Sequence, residues 1–382
     1  MAVALHSNVF PSSMGPVCTK LKQAKLSQSS LAIVNDDLLN AVTSFLSVED
    51  VLAVGQTSRG MRISIRDHTN YWSNLELMGA TTGLLMRLLP FVSAMRCVRI
   101  LKSSASTEAW IHFAKSTQLL TVINISGSKY VTDDVFELFC ERNSSTLMDV
   151  SADNCSWIST LSPLLPFAKS LRAMSFNRCR QLLTNDILEV VQNAPNLVSL
   201  ELKGNPKVSP PAIVTTALAY CPTLKVLTLG GSGRYTKDVN LDFYQAFTQQ
   251  NQSYPLECLD LSCSNPFGSR SPLADEGLIP LLNLCPNLNS LFIKGHSNLS
   301  GVILTVLPPN LVQLDISGCS QITSNLSGII GLAKLEVLIM YACENITDNI
   351  MYTLKQTNPN LIKVDVEACP AVTDAGRMLF SS

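Results

Sequence analysis

What this sequence lacks narrows it first. No apolar stretch is long enough to span a membrane: GLLMRLLPFVSAM and LSGIIGLAKLEVLIMYAC are cut by Arg87 or by Lys334 and Glu336, short of the roughly 18 to 20 apolar residues such a helix needs. Charged residues make up only 15% and sum to −1, which leaves no phosphate-neutralising surface for nucleic acid. No two of the twelve cysteines stand as C-x-x-C, the pairing a zinc site wants. The four histidines, His6, His68, His112 and His296, form no motif that would give a cysteine its base. No metal, cofactor or catalytic residue is expected. Many cysteines without a secretory leader point to a reducing compartment, so a soluble cytoplasmic and/or nuclear protein is expected.

Acidic residues are absent before Asp36, where Ser is frequent and the only cations are Lys20, Lys22 and Lys25. An acid-poor leader is a feature of mitochondrial transit segments, but this one lacks arginine and an amphipathic period. Residues 1–30 therefore read as a disordered tail.

What is present is a repeat. The template L-x-x-L-x-L-x-x-[CNS] fits Met95/Val98/Ile100, Leu120/Ile123/Ile125, Leu147/Val150/Ala152, Leu171/Met174/Phe176, Leu197/Leu200/Leu202 and Leu224/Leu227/Leu229. It continues on Leu256/Leu259/Leu261, Leu288/Leu291/Ile293, Leu311/Leu314/Ile316, Leu335/Leu338/Met340 and Leu361/Val364/Val366. The alternation predicts a short strand with every second side chain in the core. A second apolar segment after each turn reads as a helix, and VTDD, LTND, VSPP, ADEG, ITDN and VTDA place Thr, Asp or Ser where an oxygen could cap that helix. One unit cannot bury its own faces, so the units must stack into a solenoid.

This pattern resembles the leucine-rich repeats, in particular their cysteine-containing subclass of about 26 residues per unit. The resemblance implies a right-handed α/β horseshoe over residues 73–382, about 11 to 12 repeats with strands inside and helices outside. Cys155, Cys179, Cys319, Cys343 and Cys369 share the ninth template position with Asn205, Ser128, Ser232, Ser264 and His296. That position is expected to bury a small polar group where it can bond to backbone. Cys221 and Cys285 recur instead in YCPTL and LCPNL, before the next strand. LGGSGRYTKD lacks the G-K-[ST] of a phosphate loop and reads as an expanded turn.

Residues 31–72 are of another kind. Leu38, Leu39, Val42, Phe45 and Leu46 have helical spacing, and SVED is a capped turn into Val51, Leu52 and Val54. The segment resembles an F-box in Val34, Asp36, Asp37, Leu38, Leu39, Leu46, Asp50, Val51, Leu52, Ser58 and Arg59, closed by Trp72-x-x-Leu75-x-Leu77. Asn35, Ser47 and Met61 stand where that family commonly has Pro, Pro and Trp. A small three-helix F-box-like domain followed at once by leucine-rich repeats resembles the substrate receptors of SCF ubiquitin ligases. The resemblance implies a non-catalytic subunit that binds a Skp-type adaptor, and through it a cullin, with Leu38, Val42, Phe45, Leu46, Val51 and Leu52. The alternative is an interaction scaffold whose N-terminal helices only cap the solenoid.

A protein target is expected on the concave face, formed by residues two, four and six after each first position. That face is mostly small or polar, from Asn74, Glu76 and Met78 to Lys363, Asp365 and Glu367. Phe292 on one strand and Val337, Ile339 and Tyr341 on another two strands away are gathered on it, and large apolar groups gathered on a polar face mark a contact site. The long turns GGSGRYTKDVN and SCSNPFGSRSPLAD are expected to lean over the same region.

Overall fold

The computed structural model describes residues 43, 46–57, 59–67, 69–233, 235, 238–250, 252–263, 273–322 and 326–380. The chain divides into two compact units between Tyr71 and Trp72.

In the first unit the hydroxyl of Ser47 accepts the Asp50 N–H at 3.2 Å and donates to the Asp50 carboxylate at 2.7 Å. This reciprocal cap starts helix α1, Val48–Thr57, whose buried side is Val51, Leu52 and Gly55. Helix α2, Arg59–Asp67, packs back on it. A methyl on Gly55 would sit 3.5 Å from Ile65 Cδ1, and Arg62 Nε donates to the Gly55 carbonyl at 3.4 Å. Helix α3, Thr69–Ser73, leads to the first strand.

The second unit is an open leucine-rich-repeat solenoid. Twelve strands pair in parallel in sequence order: β1 Asn74–Met78, β2 Cys97–Leu101, β3 Val122–Asn124, β4 Asp149–Ser151, β5 Ala173–Ser175, β6 Ser199–Glu201, β7 Val226–Thr228, β8 Cys258–Asp260, β9 Ser290–Phe292, β10 Gln313–Asp315, β11 Val337–Ile339 and β12 Lys363–Asp365. Register never slips, so Leu200 faces Leu227, which faces Leu259, which faces Leu291. Nearly all the template's apolar side chains are buried, each contributing about 1.5 to 3 kcal/mol. Trp72 opens the first repeat, fully buried and stacked on Phe91 at 4.2 Å between ring centres.

Repeat length shapes what covers the other side, although the 23-residue step from Trp72 still holds the short helix Thr82–Leu88. Steps of 25 residues or more carry α-helices such as Thr107–Ser116, Asp133–Asn143 and Pro210–Tyr220. The shorter steps from Leu147 and Leu288 hold only 3-10 turns, Ser162–Ser170 and Gly301–Val306. No helix among the described residues is long and apolar enough to cross a membrane.

The expected helix caps need correction. Thr132, Thr347, Thr373 and Ser209 make no side-chain cap, and Leu183 and Ala274 occupy the cap position of LTND and ADEG. The carboxylates turn to the next repeat instead. Asp133 accepts the Ser159 N–H and hydroxyl at 2.8 and 2.6 Å, and Asp348 those of Thr373 at 2.9 and 2.6 Å. Asp275 does the same for Ser300, and Thr184 accepts the Ser209 N–H at 2.9 Å. Two donors from a stacked neighbour outcompete one local N–H.

The ninth position ties the stack from the strand side. Ninth side chains donate to the sixth-position carbonyl of the preceding repeat, except Ser103, which donates to Ala80: Cys155 to Ile125 at 3.4 Å, Cys179 to Ala152 at 3.1 Å, Cys319 to Ile293 at 3.3 Å, Cys343 to Ile316 at 3.5 Å and Cys369 to Met340 at 3.0 Å. Ser128, Asn205 and Ser232 do likewise; Ser264 lies outside the described residues. Burial pushes the Cys319 and Cys343 thiols up to about 12, which keeps them protonated and donating. We expect Cys343→Ala, which removes the donor and leaves a void, to cost ~1–3 kcal/mol. Cys343→Ser, with a hydroxyl as at Ser128, should cost about half as much in the same chemical denaturation series.

Candidate interaction face

The strand register sorts the concave side chains into three rows. The middle row runs Glu201, Thr228, Asp260, Phe292, Asp315, Ile339, Asp365. Phe292 and Ile339 therefore flank Asp315, and Val337 stands one row over, between Gln313 and Lys363. Tyr341 follows β11 in the third row. All four residues singled out in the sequence are half-buried on this face.

Lysines lie against both rings. Lys203 Nζ is 5.8 Å from the centre of Phe292 and 2.9 Å from the Asp260 carboxylate, which is buried. Lys294 Nζ is 5.6 Å from the centre of Tyr341. A cation over a ring is worth about 0.5–1 kcal/mol at an accessible site, so each ring keeps one face partly covered. Sequence reasoning missed these pairs, because Lys203 and Phe292 belong to repeats three apart. Further along, Asp153 accepts from the Ser175 hydroxyl and the Asn177 N–H, each at 2.7 Å, and Asn177 in turn accepts the Lys203 N–H at 2.6 Å. This part of the face is held by its own polar network.

Of the segment SCSNPFGSRSPLAD, residues 264–272 lie outside the described residues, as do 234, 236 and 237 of the first long turn. Tyr235 points inward instead of over the face: its hydroxyl donates to the Leu261 carbonyl at 2.5 Å. The glycines of LGGSGRYTKD serve packing. Gly233 has φ +40°, and any Cβ there would meet the Val208 carbonyl oxygen at 1.7 Å.

His296 takes the ninth position of its repeat. Its Nε2–H donates to the same Leu261 carbonyl at 2.8 Å, Nδ1 is 3.8 Å from Cys263 Sγ, and the Tyr235 ring meets it edge to face at 5.1 Å. Complete burial lowers its pKa to about 4. Cys258 lies on the concave face between Val226 and Ser290, and burial raises it to about 11. The described cysteines are all free thiols, and no group of three metal-ligating side chains among the described residues is placed to hold an ion.

Among the residues expected to meet an adaptor, Val51 and Leu52 are buried within this chain, at 0% and 6% exposure, and Leu46 is half-buried. Leu38, Val42 and Phe45 lie outside the described residues.

No protein-family profile matches the chain. A segment of 67 residues is 42% identical to the antagonist of mitotic exit network protein 1 of Saccharomyces cerevisiae, covering 18% of this chain and 12% of that protein. The chain thus spans about an eighth of that relative's length. Among solved structures, it is similar to a chain of the yeast Rad7 and Elc1 complex, with a TM-score of 0.56 and 16% identity over 96% of each chain. It is also similar to the internalin InlF of Listeria monocytogenes, with a TM-score of 0.55 and 15% identity over 87% of this chain and 92% of that one. Both share the leucine-rich-repeat fold.

The buried imidazole makes stability depend on pH. Below its ordinary pKa of about 6.5 the unfolded chain takes up a proton that folded His296 refuses until about 4, so stability falls as pH drops through that window. The loss is about 2 to 3 kcal/mol by pH ~4.5. We expect His296→Asn, the residue found at Asn205, to lose that much less than the parent between pH ~7 and ~4.5 in denaturant titrations.

Proposed function

We propose that the chain is the substrate-recognition subunit of an SCF ubiquitin ligase, with its helical segment on a Skp-type adaptor and a protein target on the concave face. It is not itself catalytic in this reading; it gains rate for a separate enzyme by proximity. The observation that carries the reading is order: the acidic-Leu-Leu run from Asp36, the Ser47-capped helix α1, Arg59, and Trp72-x-x-Leu75-x-Leu77 running straight into the first repeat. The twelve-stranded solenoid of a protein-interaction scaffold supports the target half of the proposal. A chain with the same fold has been solved in a complex of Rad7 and Elc1.

A scaffold without a ligase role is favoured by one observation, the burial of Val51 and Leu52 within this chain. A pull-down with purified Skp-type adaptor separates the two. The adaptor should be retained by the parent and released by Leu46→Asp, since a buried unpaired charge at a contact costs several kcal/mol. Val51→Asp would unfold α1 and is the wrong variant for this purpose. No retention by a folded parent chain leaves the scaffold reading in place.

The concave site has its own test. Replacing Phe292 and Tyr341 together by Ala should weaken a captured target by at least ~2 kcal/mol while leaving adaptor retention unchanged. Equal target affinity in the double variant would move the contact elsewhere on the solenoid.

A further inference from the structure

Beyond the strands, each repeat turns toward its outer side through template positions eight to eleven. In the repeats that begin at Met95, Leu120, Leu147, Leu171 and Leu197 these positions hold Lys102, Lys129, Arg178, Arg180 and Lys207, and no Asp or Glu. In the repeats from Leu288, Leu311, Leu335 and Leu361 the same positions hold no Lys or Arg at all. A basic edge is therefore confined to one half of the solenoid, in a chain whose net charge is only −1. All five cations are exposed, and among the described residues none pairs with a carboxylate.

Two aromatic side chains share that edge. Tyr130 and Trp157 occupy the eleventh position of adjacent repeats and are 49% and 62% exposed, whereas the other tryptophans, Trp72 and Trp110, are fully buried. Gln181 and Lys207 continue the row, with Lys207 Nζ 2.9 Å from Gln181 Oε1.

The platform beneath is rigid. Eighth-position N–H groups pair from repeat to repeat, Lys102 to the Ser126 carbonyl at 2.8 Å and Arg178 to that of Lys203 at 2.7 Å. Lys102 and Arg178 sit at φ +52° and +58°, a left-handed conformation that L residues resist and that Gly127 and Gly204 occupy freely in the adjoining repeats. Those glycines leave room for the basic stems: a methyl on Gly127 would lie 3.1 Å from Lys102 Cγ, and one on Gly204 3.0 Å from Arg178 Cγ. The same left-handed turn is held by Asn154, Ala342 and Ala368 at the eighth position of other repeats, so it belongs to the repeat itself, and here it fixes where the basic stems leave the backbone.

We propose that this edge docks an acidic, extended segment of a partner protein, its anionic groups paired with the cations and an apolar side chain packed on Trp157. At about 4.8 Å per strand, five repeats span ~19 Å, the reach of about six extended residues. A short segment fits better than nucleic acid. Asp149, Asp153 and Glu201 line the neighbouring concave rows, so a second line of phosphates would meet acids, and the whole chain offers no long-range field to gather a polyanion. This surface is distinct from the concave site and does not depend on the ligase reading.

The test uses the full chain and a fluorescein-labelled peptide of about eight residues, rich in Glu and Asp with one central Leu, beside its phosphoserine counterpart, a Lys-rich control and a single-stranded RNA of similar length. The acidic or the phosphorylated peptide should bind saturably at low salt and weaken as salt rises. Either should also shield Trp157 from iodide quenching. Arg178→Glu with Arg180→Glu should weaken binding at least tenfold with an unchanged melting temperature, and Trp157→Ala should abolish the iodide response. Absence of saturable binding, equal binding to the charge-reversed variant, or tighter binding of RNA than of either anionic peptide would overturn the proposal.

Discussion

A buried carbonyl governs this solenoid. The sixth residue of a repeat ends its strand with its oxygen turned into the core, where in several repeats it accepts an N–H from its own turn, as Ile125 does from Ser128 and Ile316 from Cys319, while the Ser103 and Asn205 N–H groups go instead to the hydroxyls of Ser128 and Ser232 in the next repeat. Its other lone pair faces the next repeat, and an unsatisfied acceptor there costs about 1–3 kcal/mol. The ninth residue of that next repeat must therefore be small or flat and must carry a hydrogen to donate. Cysteine, serine, asparagine and histidine all meet the condition, which is why residues with such different chemistry interchange at one place. At Leu261 the demand is met twice, by His296 and by Tyr235.

The same constraint explains what could be read from the sequence. Strands and ninth-position donors were legible because each repeat restates them at a fixed offset, and a period averages out local noise. The concave placement of Phe292, Val337, Ile339 and Tyr341 followed from alternation alone. Helix caps were not legible in the same way. A Thr or Asp before a helix looks like a local cap, yet the best donors for Asp133 and Asp348 lie one full repeat away, at Ser159 and Thr373. Contacts such as Lys203 with Asp260 and Phe292 span two and three repeats and depend on Gly230 leaving the space between them open: a Cβ there would meet the Asp260 carboxylate at 2.6 Å. In the first unit the Ser47 cap was plain, but a sequence cannot tell an apolar residue kept for a partner from one buried at home, and Val51 and Leu52 are the latter.

The solenoid's outer layer is uneven. Between β10 and β11 the described chain runs through turns from Leu326 to Leu332 where other repeats carry helices, with Leu326, Ile329 and Leu332 as its buried side chains. Because each tie described for the ladder and the carboxylate bridges reaches only the neighbouring repeat, the free energy of the array is mostly a sum of local and nearest-neighbour parts, the longer reach of Lys203 aside. Cooperativity in such an array is only as strong as its weakest junction. The β10 to β11 junction, with turns on its outer side, is expected to be a weak one, at which the final repeats open as a unit while those before them stay folded.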